Sequence, residues 1–391
     1  MLRSLFSGIS GLRAHQTMLD VTGNNIANVN TSGFKASQVQ FQDTLSQVLT
    51  NAGGAQPGVG GTNPAQVGLG VRTAGISTNF QQGAAQLTNK STDMMISGDG
   101  FFITSKGGEQ LYSRAGAFSF DATGQLVTTD GALVQGWAAD AVGTIDPNSG
   151  LTDLRLPIAT LMGAAATVNA SFEGNLPIDA AAGTVLNRTM DVYDAAGNVS
   201  SLDLAFTKTA AGWDLSAAIG ATNTTSTMTF NPDGTLASGG TLTVGAVTVD
   251  LSTLTGFAGL NTVAANTQDG RSAGTLQSFT INADGTLLGA FSNGLKQAVG
   301  RVALAAFTNP SGLEKAGDSA YRTSINSGDP QIGTAGSSGR GSLTGGALEM
   351  SNVDLSAEFT NLIIAQRGFQ ANSRVITTSD EVLQELVNLK R

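Results

Sequence analysis

Apolar side chains recur at alternating steps of four and three residues near both ends of the chain. Such heptad spacing is typical of the seam along which helices pair in a coiled coil. The pattern predicts one helix at each terminus, with Asp354 as the N-cap of the second. The predicted seam, which we interpret as an assembly interface, comprises Leu5, Ile9, Leu12, Gln16, Leu19, Ile26, Leu355, Phe359, Leu362, Gln366, Phe369, Ser373, Ile376, Asp380, Leu383 and Val387.

An alternative is that both helices pack on a globular core. Two features favour a helix–helix seam instead: each stripe is narrow, and each helix is separated from the rest of the chain by a Gly-rich segment. A lone helix of this kind is marginally stable in water. We therefore expect both ends to be poorly ordered in the free monomer and to fold on contact with neighbours. Polar Gln16, Gln366, Ser373 and Asp380 interrupt the seam and are expected to specify register.

Between the helices, strand and turn signals dominate. The Gly-rich stretches Asn51–Gly70 and Asn326–Gly346 lack an apolar period and are predicted to be extended connectors. A hairpin is predicted where Thr92–Ser97 and Phe101–Ser105 flank Gly98-Asp99-Gly100. Further turns are predicted at Asp121–Gly124, Asp130-Gly131, Asp194–Gly197, Asp233-Gly234 and Asp284-Gly285.

The predicted fold class is multidomain α+β, with two mainly β domains of antiparallel sandwich or barrel-like form between the terminal helices. The predicted domains are a helical assembly domain (1–35 with 352–391), Gly-rich connectors (36–71 and 326–351), an inner β domain (72–145 with 275–325) and an outer acidic β domain (146–274).

Composition supports short strands and many turns. Of 391 residues, 51 are Gly, and only 13% are charged, about half the usual share of charged residues. The net charge is −9. It is concentrated in the middle, because Asp146 to Arg271 holds eleven acidic and four basic residues, leaving 18 acidic and 16 basic residues elsewhere. The chain therefore lacks the basic surface that nucleic-acid binding requires.

Candidate chemistry is sparse. Cysteine is absent, which excludes disulfides and thiolate sites, and His15 is the only histidine. The Gly-rich stretches do not follow the pattern of a phosphate-binding loop, and the Asp-Gly turns lack the ligand spacing of a calcium loop. Carboxylate pairs for glycoside cleavage are possible, but no pair stands out among 29 acidic residues. We predict no catalytic, cofactor or metal site.

Signature segments at both ends indicate a family. The run from Asn24 to Lys35, with Ser7–Leu12 before it, resembles the N-terminal signature of the bacterial flagellar axial proteins, which include rod, hook and junction subunits. Ser351–Leu355 and Ala365–Asn372 resemble the C-terminal signature. The signature residues are Asn24, Asn25, Asn28, Asn30, Gly33, Phe34, Gln366, Arg367 and Asn372.

The middle of the chain indicates which member of this family the chain resembles. Gly98–Phe102 and Phe307–Leu313 are similar to segments shared by rod and hook proteins. The insertion from Asp146 to Gly274, which a distal rod subunit lacks, contains Gly174–Leu176 and Phe206–Trp213, and these resemble the outer domain of hook subunits. The resemblance implies a hook subunit. The absence of cysteine excludes a cysteine-derived cross-link between its copies.

The resemblance implies a structural, non-enzymatic role in a hollow, curved tube outside the cell that transmits torque from motor to filament. Expected partners are copies of the chain, a distal rod subunit and a hook–filament junction protein at the two ends, and transiently the hook cap and the flagellar export apparatus. No nucleic-acid partner, cofactor or membrane insertion is expected. No apolar run of about 18 residues occurs, and no cleaved signal peptide is recognisable, so export without one is expected.

Two alternatives remain open on the sequence. The first is a distal rod subunit. The second is a secreted β-rich binding protein or carboxylate hydrolase, which predicts a stable monomer with a deep acidic cleft.

Overall fold

The structure, a computed structural model, describes residues 2–54, 57–58, 60–140, 142–156 and 162–389. Helix α1 (Leu2–Ala27) and helix α2 (Leu355–Asn388) bracket a series of strands. The prediction of Asp354 as N-cap is confirmed, because its carboxylate accepts hydrogen bonds from the backbone N–H groups of Ser356 and Ala357. None of the described helices is long and apolar enough to cross a membrane.

The strands of the first half of the chain are β1 (Ser37–Asp43), β2 (Ser46–Thr50), β3 (Ala65–Gly68), β4 (Val71–Thr78), β5 (Ala85–Leu87), β6 (Met94–Ser97), β7 (Phe101–Lys106), β8 (Glu109–Ser113), β9 (Phe118–Phe120), β10 (Leu126–Thr128), β11 (Leu133–Ala138), β12 (Thr152–Asp153), β13 (Asn169–Asn175), β14 (Val185–Tyr193) and β15 (Val199–Lys208).

The strands of the second half are β16 (Trp213–Ile219), β17 (Thr222–Phe230), β18 (Leu236–Ser238), β19 (Thr241–Val244), β20 (Val247–Asp250), β21 (Leu254–Thr255), β22 (Ala264–Gln268), β23 (Leu276–Ile281), β24 (Thr286–Phe291), β25 (Lys296–Val302), β26 (Leu304–Ala306), β27 (Glu314–Gly317), β28 (Ala320–Arg322), β29 (Gln331–Gly333), β30 (Ser342–Gly345) and β31 (Ala347–Glu349). A 3₁₀ turn covers Pro310–Gly312.

An inner unit is built around a sheet with the strand order β23-β24-β25-β11-β7-β8-β28-β27. Strand β7 is buried on both faces. Phe102 belongs to one apolar cluster with Phe118, whereas Phe101 belongs to a second cluster with Trp137. Alternate residues of a strand point to opposite faces, so this strand separates two cores within the inner unit.

An outer unit consists of two five-stranded sheets, one with the order β14-β15-β16-β17-β18 and one with β13, β19, β20, β21 and β22. Their inner faces share one apolar cluster around Phe172, Phe206 and Trp213. Strand β13 pairs in parallel with β20 and β21, so this part departs from the purely antiparallel arrangement predicted.

The five predicted Asp-Gly turns are confirmed. Each joins neighbouring antiparallel strands, as between β14 and β15 at Asp194–Gly197. There Gly197 has φ +85°, and the Asp194 carboxylate accepts hydrogen bonds from the backbone N–H groups of Ala196 and Asn198. A hydrogen bond from the Asn198 side-chain amide, together with these backbone bonds, lowers the pKa of Asp194. The residue pattern thus located these turns because Asp and Gly each satisfy a specific backbone requirement there.

The predicted hairpin around Gly98-Asp99-Gly100 is wrong. Strand β6 pairs with β30, far along the chain, and β7 pairs with β8 and β11. Gly98 and Gly100 have φ of +106° and +132°. Gly341 packs against Gly98, where a Cβ would lie 3.1 Å from the Gly341 Cα. The segment therefore passes between two sheets instead of turning back on itself.

The prediction of extended connectors is also wrong. Strands β1 to β4 pair within residues 36–78, and β29, β30 and β31 all join other strands. Helix α1 moreover contacts β1 and β4, so a folded body lies beside it. The predicted limit at residue 145 falls too early, because β12 pairs with β11 and Leu154 and Leu156 are buried in the inner core.

Candidate assembly interface

Helices α1 and α2 pack against each other through small residues. A Cβ placed on Gly11 would lie 2.7 Å from Asn372 Oδ1, and one on Gly368 would lie 2.5 Å from the imidazole of His15. Gly8 faces Ile376 in the same way. Because residue numbers rise along one helix as they fall along the other, the pair is antiparallel. Each glycine accommodates a larger side chain, which permits close approach of the two backbones.

The buried contact faces lie one residue before the predicted seam on both helices. In α1 the buried positions include Gly8, Gly11, Thr22 and Asn25, and in α2 they include Ala365 and Ser379. The positions at which α1 and α2 contact each other thus follow heptad spacing, but small and polar residues occupy them. The larger apolar residues of the predicted stripe border it.

The predicted seam residues accordingly divide into two groups. Half-buried positions are Leu5, Ile9, Leu12, Leu19, Ile26, Leu362, Phe369, Ser373, Ile376 and Leu383. Exposed positions are Gln16, Leu355, Phe359, Gln366, Asp380 and Val387. Their role between copies of the chain stays a prediction, as does the ordering of the ends on contact with neighbours.

The outward faces of the helix pair are rich in exposed large apolar side chains. Phe6 is 66% exposed, Phe359 51% and Ile363 50%. Ile364, Val375, Val382 and Leu386 are also exposed. Apolar surface of this extent on one element is typical of a protein–protein interface.

A buried charged cluster joins both ends of the chain to the inner unit. Lys35 Nζ lies 2.6 Å from Glu349 Oε1, and Arg114 Nη1 lies 3.5 Å from Glu349 Oε2. Lys35 also donates to the carbonyl of Gln81 at 2.7 Å, and the Gly83 N–H donates to Glu349 Oε1. Burial lowers the pKa of Lys35 and of Arg114, and the Glu349 carboxylate opposes both shifts. The carboxylate thereby compensates two buried cations.

Two asparagines fix the segment that leaves α1. The Asn25 side chain donates to the carbonyl of Ser37 and accepts from its N–H, and it also donates to Glu358 of α2. The Asn352 side chain accepts from the Ala36 N–H and donates to the carbonyl of Gln81. Both amides take the place of a neighbouring strand, which satisfies backbone groups that would otherwise be unpaired.

The other signature residues occupy the same region or the helix surface. Gly33 has φ +69°, and a Cβ there would lie 2.5 Å from the backbone nitrogen of Ala115, so only glycine fits. Asn28 bonds Asn24, and the ammonium of Lys315 lies 5.3 Å from the centre of the Phe34 ring. Asn30, Gln366 and Arg367 are exposed.

Sequence reasoning missed the buried cluster. Lys35 and Asn352 belong to the signature segments, whereas Arg114 and Glu349 lie outside them and outside every predicted site. Charged residues are usually exposed in folded proteins, so residue type alone does not indicate that these three are buried. The local signal was the run Gly33-Phe34-Lys35, in which a glycine with a positive φ lies two residues before the buried lysine.

Little in this region resembles a catalytic site. His15 lies between the helices with its ring centre 5.9 Å from that of Phe41, and its Nδ1 has no hydrogen-bond partner among the described residues. Across the ranges that the structure describes, no group of three or more His, Asp or Glu residues could hold a metal ion.

Four family models match the chain. They are a flagella basal body rod protein model over residues 5–35, a flagellar hook protein FlgE/F/G D1 domain model over 95–182, a flagellar basal body protein FlaE D2 domain model over 164–309, and a flagellar basal body rod FlgEFG protein C-terminal model over 344–389. The first and last cover the two helices and their signatures.

Whole-chain relatives agree. The chain is 42% identical to the flagellar hook protein FlgE of Borreliella burgdorferi and 39% identical to that of Treponema pallidum, with 100% of each chain covered in both comparisons. The Helicobacter pylori flagellar hook protein FlgE2 has a similar fold, with a TM-score of 0.56 at 14% identity, covering 68% of this chain and 100% of that one. The chain therefore belongs to the flagellar hook protein FlgE family.

Proposed function

We propose that this chain polymerises into the flagellar hook, a hollow flexible tube that transmits motor torque to the filament. One observation carries the proposal: relatives named as hook proteins match the chain from end to end. The exposed apolar faces of the helix pair support it, because a single chain leaves them in contact with water. Polymerisation would bury them.

The helix pairs of neighbouring copies would form the wall of the central channel. In this arrangement the predicted stripe, with Phe359 and Leu362, packs as a coiled-coil seam against other copies. The small-residue face stays occupied by the chain's own second helix. One helix pair then has two functions, since its inner face holds the subunit together and its outer faces hold the tube together.

We propose a corrected domain division to accompany this function. The helical domain remains 1–35 with 352–391. The inner β domain takes in the former connectors and extends through Leu156, and the outer acidic domain begins near Met162 and ends near Gly274. The buried cluster around Lys35 supports this grouping, because it ties the signature segments to the inner unit. Bending is then expected where the two chain segments cross between the inner and outer units.

The proposed partners are copies of the chain along the tube, a distal rod subunit and a hook–filament junction protein at its ends, and the hook cap and export apparatus during assembly. The proposed location is outside the cell, reached through the flagellar export route without a cleaved signal. Membership of a family of structural flagellar proteins disfavours the alternative of a binding protein or hydrolase.

The test is assembly of purified protein. A Phe359→Asp, Ile363→Asp double variant places two charges on the exposed apolar face and is expected to abolish tubes seen by electron microscopy. Phe359→Leu keeps an apolar side chain there and is the matched control, expected to assemble. Tubes formed by the double variant at the normal rate would disprove the proposed interface.

A rod subunit is the second candidate, because the flagellar basal-body rod protein FlgG of Bacillus subtilis is 34% identical over the full length of both chains. The two candidate functions place the chain at different positions in the flagellum. Immunogold labelling of isolated basal bodies is expected to mark the tube beyond the rod. Label confined to the rod would favour the second candidate.

A further inference from the structure

The second helix extends beyond the first at the free end of the pair. Asn25 bonds Glu358, His15 contacts the position of Gly368, and Gly11 contacts Asn372. The numbers of each facing pair add up to 383, so the start of α1 at Leu2 faces position 381. Helix α2 continues to Asn388, so about 10 Å of helix extends past the last described residue of α1.

We call this overhanging segment, residues 382–389, the α2 tip. One side of it carries exposed apolar side chains. Val382, Leu386 and Leu389 are 46%, 52% and 85% exposed. Steps of four and three residues place them on one side of the helix, and Glu385 lies among them. The tip therefore presents apolar surface with a carboxylate within it.

An open groove lies at the opposite end of the helix pair. It runs between the last turns of α1, at Asp20 and Asn24, strand β4 at Ile76, and the segment of Leu313 and Lys315, with a volume of about 460 Å³. Ile76 is half exposed. The groove thus combines an uncovered apolar side chain with one cation, Lys315, and one carboxylate, Asp20.

Lys315 is held in this groove without an acidic partner. Its ammonium donates a 2.9 Å hydrogen bond to Ser37 Oγ and lies over the Phe34 ring. Among the described residues, no carboxylate forms an ion pair with it within 4.0 Å. Two contacts therefore fix the position of the charge, but neither neutralises it.

A contact between two unlike surfaces of the same molecule builds a filament when its repetition does not close into a ring. The α2 tip and the groove are unlike and lie at opposite ends of the helix pair, and Glu385 of the tip is opposite in charge to the unpaired Lys315 of the groove. We propose that the α2 tip of one copy docks in the groove of another, with Glu385 beside Lys315 and the tip's apolar side chains over Ile76. The proposal rests on the hook function above and names one contact within it.

The cysteine-free chain allows a direct test. In a variant with Lys315→Cys and Glu385→Cys, mild oxidation of assembled tubes is expected to link most copies into a ladder of covalent oligomers on a denaturing gel. Each single variant is expected to give no ladder beyond dimers. The matched control pairs Glu385→Cys with Lys296→Cys, which lies in β25, and is expected to give no ladder.

Charge exchange provides a second readout. Lys315→Glu is expected to slow tube assembly at least tenfold, and adding Glu385→Lys is expected to restore most of the rate. Tubes that form normally without a ladder in the double-cysteine variant would overturn this contact and leave the hook function standing. Failure of the unmodified chain to form tubes would instead contradict the proposed function.

Discussion

The ammonium of Lys35 lies 2.6 Å from a carboxylate oxygen of Glu349, and both side chains are completely buried. Lys35 follows the N-terminal signature, and Glu349 ends the strand before the C-terminal signature. Their pairing therefore joins segments 314 positions apart in the chain. It binds both helix-bearing ends to one folded body, so force applied to the helices would reach the inner unit through this cluster.

Glu349→Gln is expected to destabilise the inner unit by about 3–5 kcal/mol, because it leaves Lys35 and Arg114 buried without a carboxylate. Urea unfolding followed by the fluorescence of Trp137, an inner-core residue, in a Trp213→Phe background measures this loss. Glu109→Gln is the matched control. It breaks the exposed pair with Arg322 and is expected to cost less than about 1 kcal/mol. Equal losses from the two variants would contradict a structural role for the cluster.

Gly33→Ala tests whether the turn before Lys35 is crowded. A Cβ there would lie 2.5 Å from a backbone nitrogen, so we expect a loss of more than about 2 kcal/mol in unfolding free energy. Gly245 has a similar φ of +62° but no atom within 4 Å, so Gly245→Ala isolates the cost of the backbone conformation, about 1 kcal/mol. Urea unfolding of both variants is the measurement, and a smaller loss at Gly33 would refute the crowding.

The sequence allowed the helices, the Asp-Gly turns and the family to be predicted, because each depends on local spacing. The partner of β6 could not be predicted, since β30 lies far away in the chain and pairing depends on tertiary packing. The contact faces of the helices were missed by one residue. Apolar periodicity identifies large side chains, whereas the contact is made where Gly11 and Gly368 permit close approach. The burial of Lys35 was missed because the carboxylate that pairs with its charge, Glu349, is distant in the sequence.

Gly11→Ala and Gly23→Ala are expected to have opposite effects on the helix pair in assembled tubes. At Gly11 the new Cβ meets the Asn372 side chain at 2.7 Å, whereas at Gly23 it meets nothing within 4 Å. Alanine favours helix over glycine by about 1 kcal/mol, so Gly23→Ala gains protection, while Gly11→Ala separates the helices and loses it. Amide hydrogen exchange of residues 2–27 measures both, and faster exchange in Gly23→Ala would contradict this account.

We expect the inner unit to lose stability at alkaline pH because Tyr321 is buried. Burial raises its pKa to about 12, whereas the unfolded value is about 10. Because the pKa of Tyr321 is higher in the folded state, the protonated side chain makes its full contribution to the free energy of unfolding below pH 10. That contribution is lost as the pH rises towards 12. At pH 11 the chain is expected to have lost about 1.4 kcal/mol relative to Tyr321→Phe. Urea unfolding of both proteins at pH 8 and 11 measures the difference, and a constant difference would refute the prediction.

The central claim is that the exposed faces of the α1–α2 pair hold copies of this chain together in a tube. Helical reconstruction by electron cryomicroscopy of tubes grown from purified protein tests it most directly. The account predicts helix pairs around a central channel, with Phe359 and Ile363 buried between copies. Tubes in which the helix pairs leave these side chains exposed to water, or are held together by the outer units alone, would contradict it.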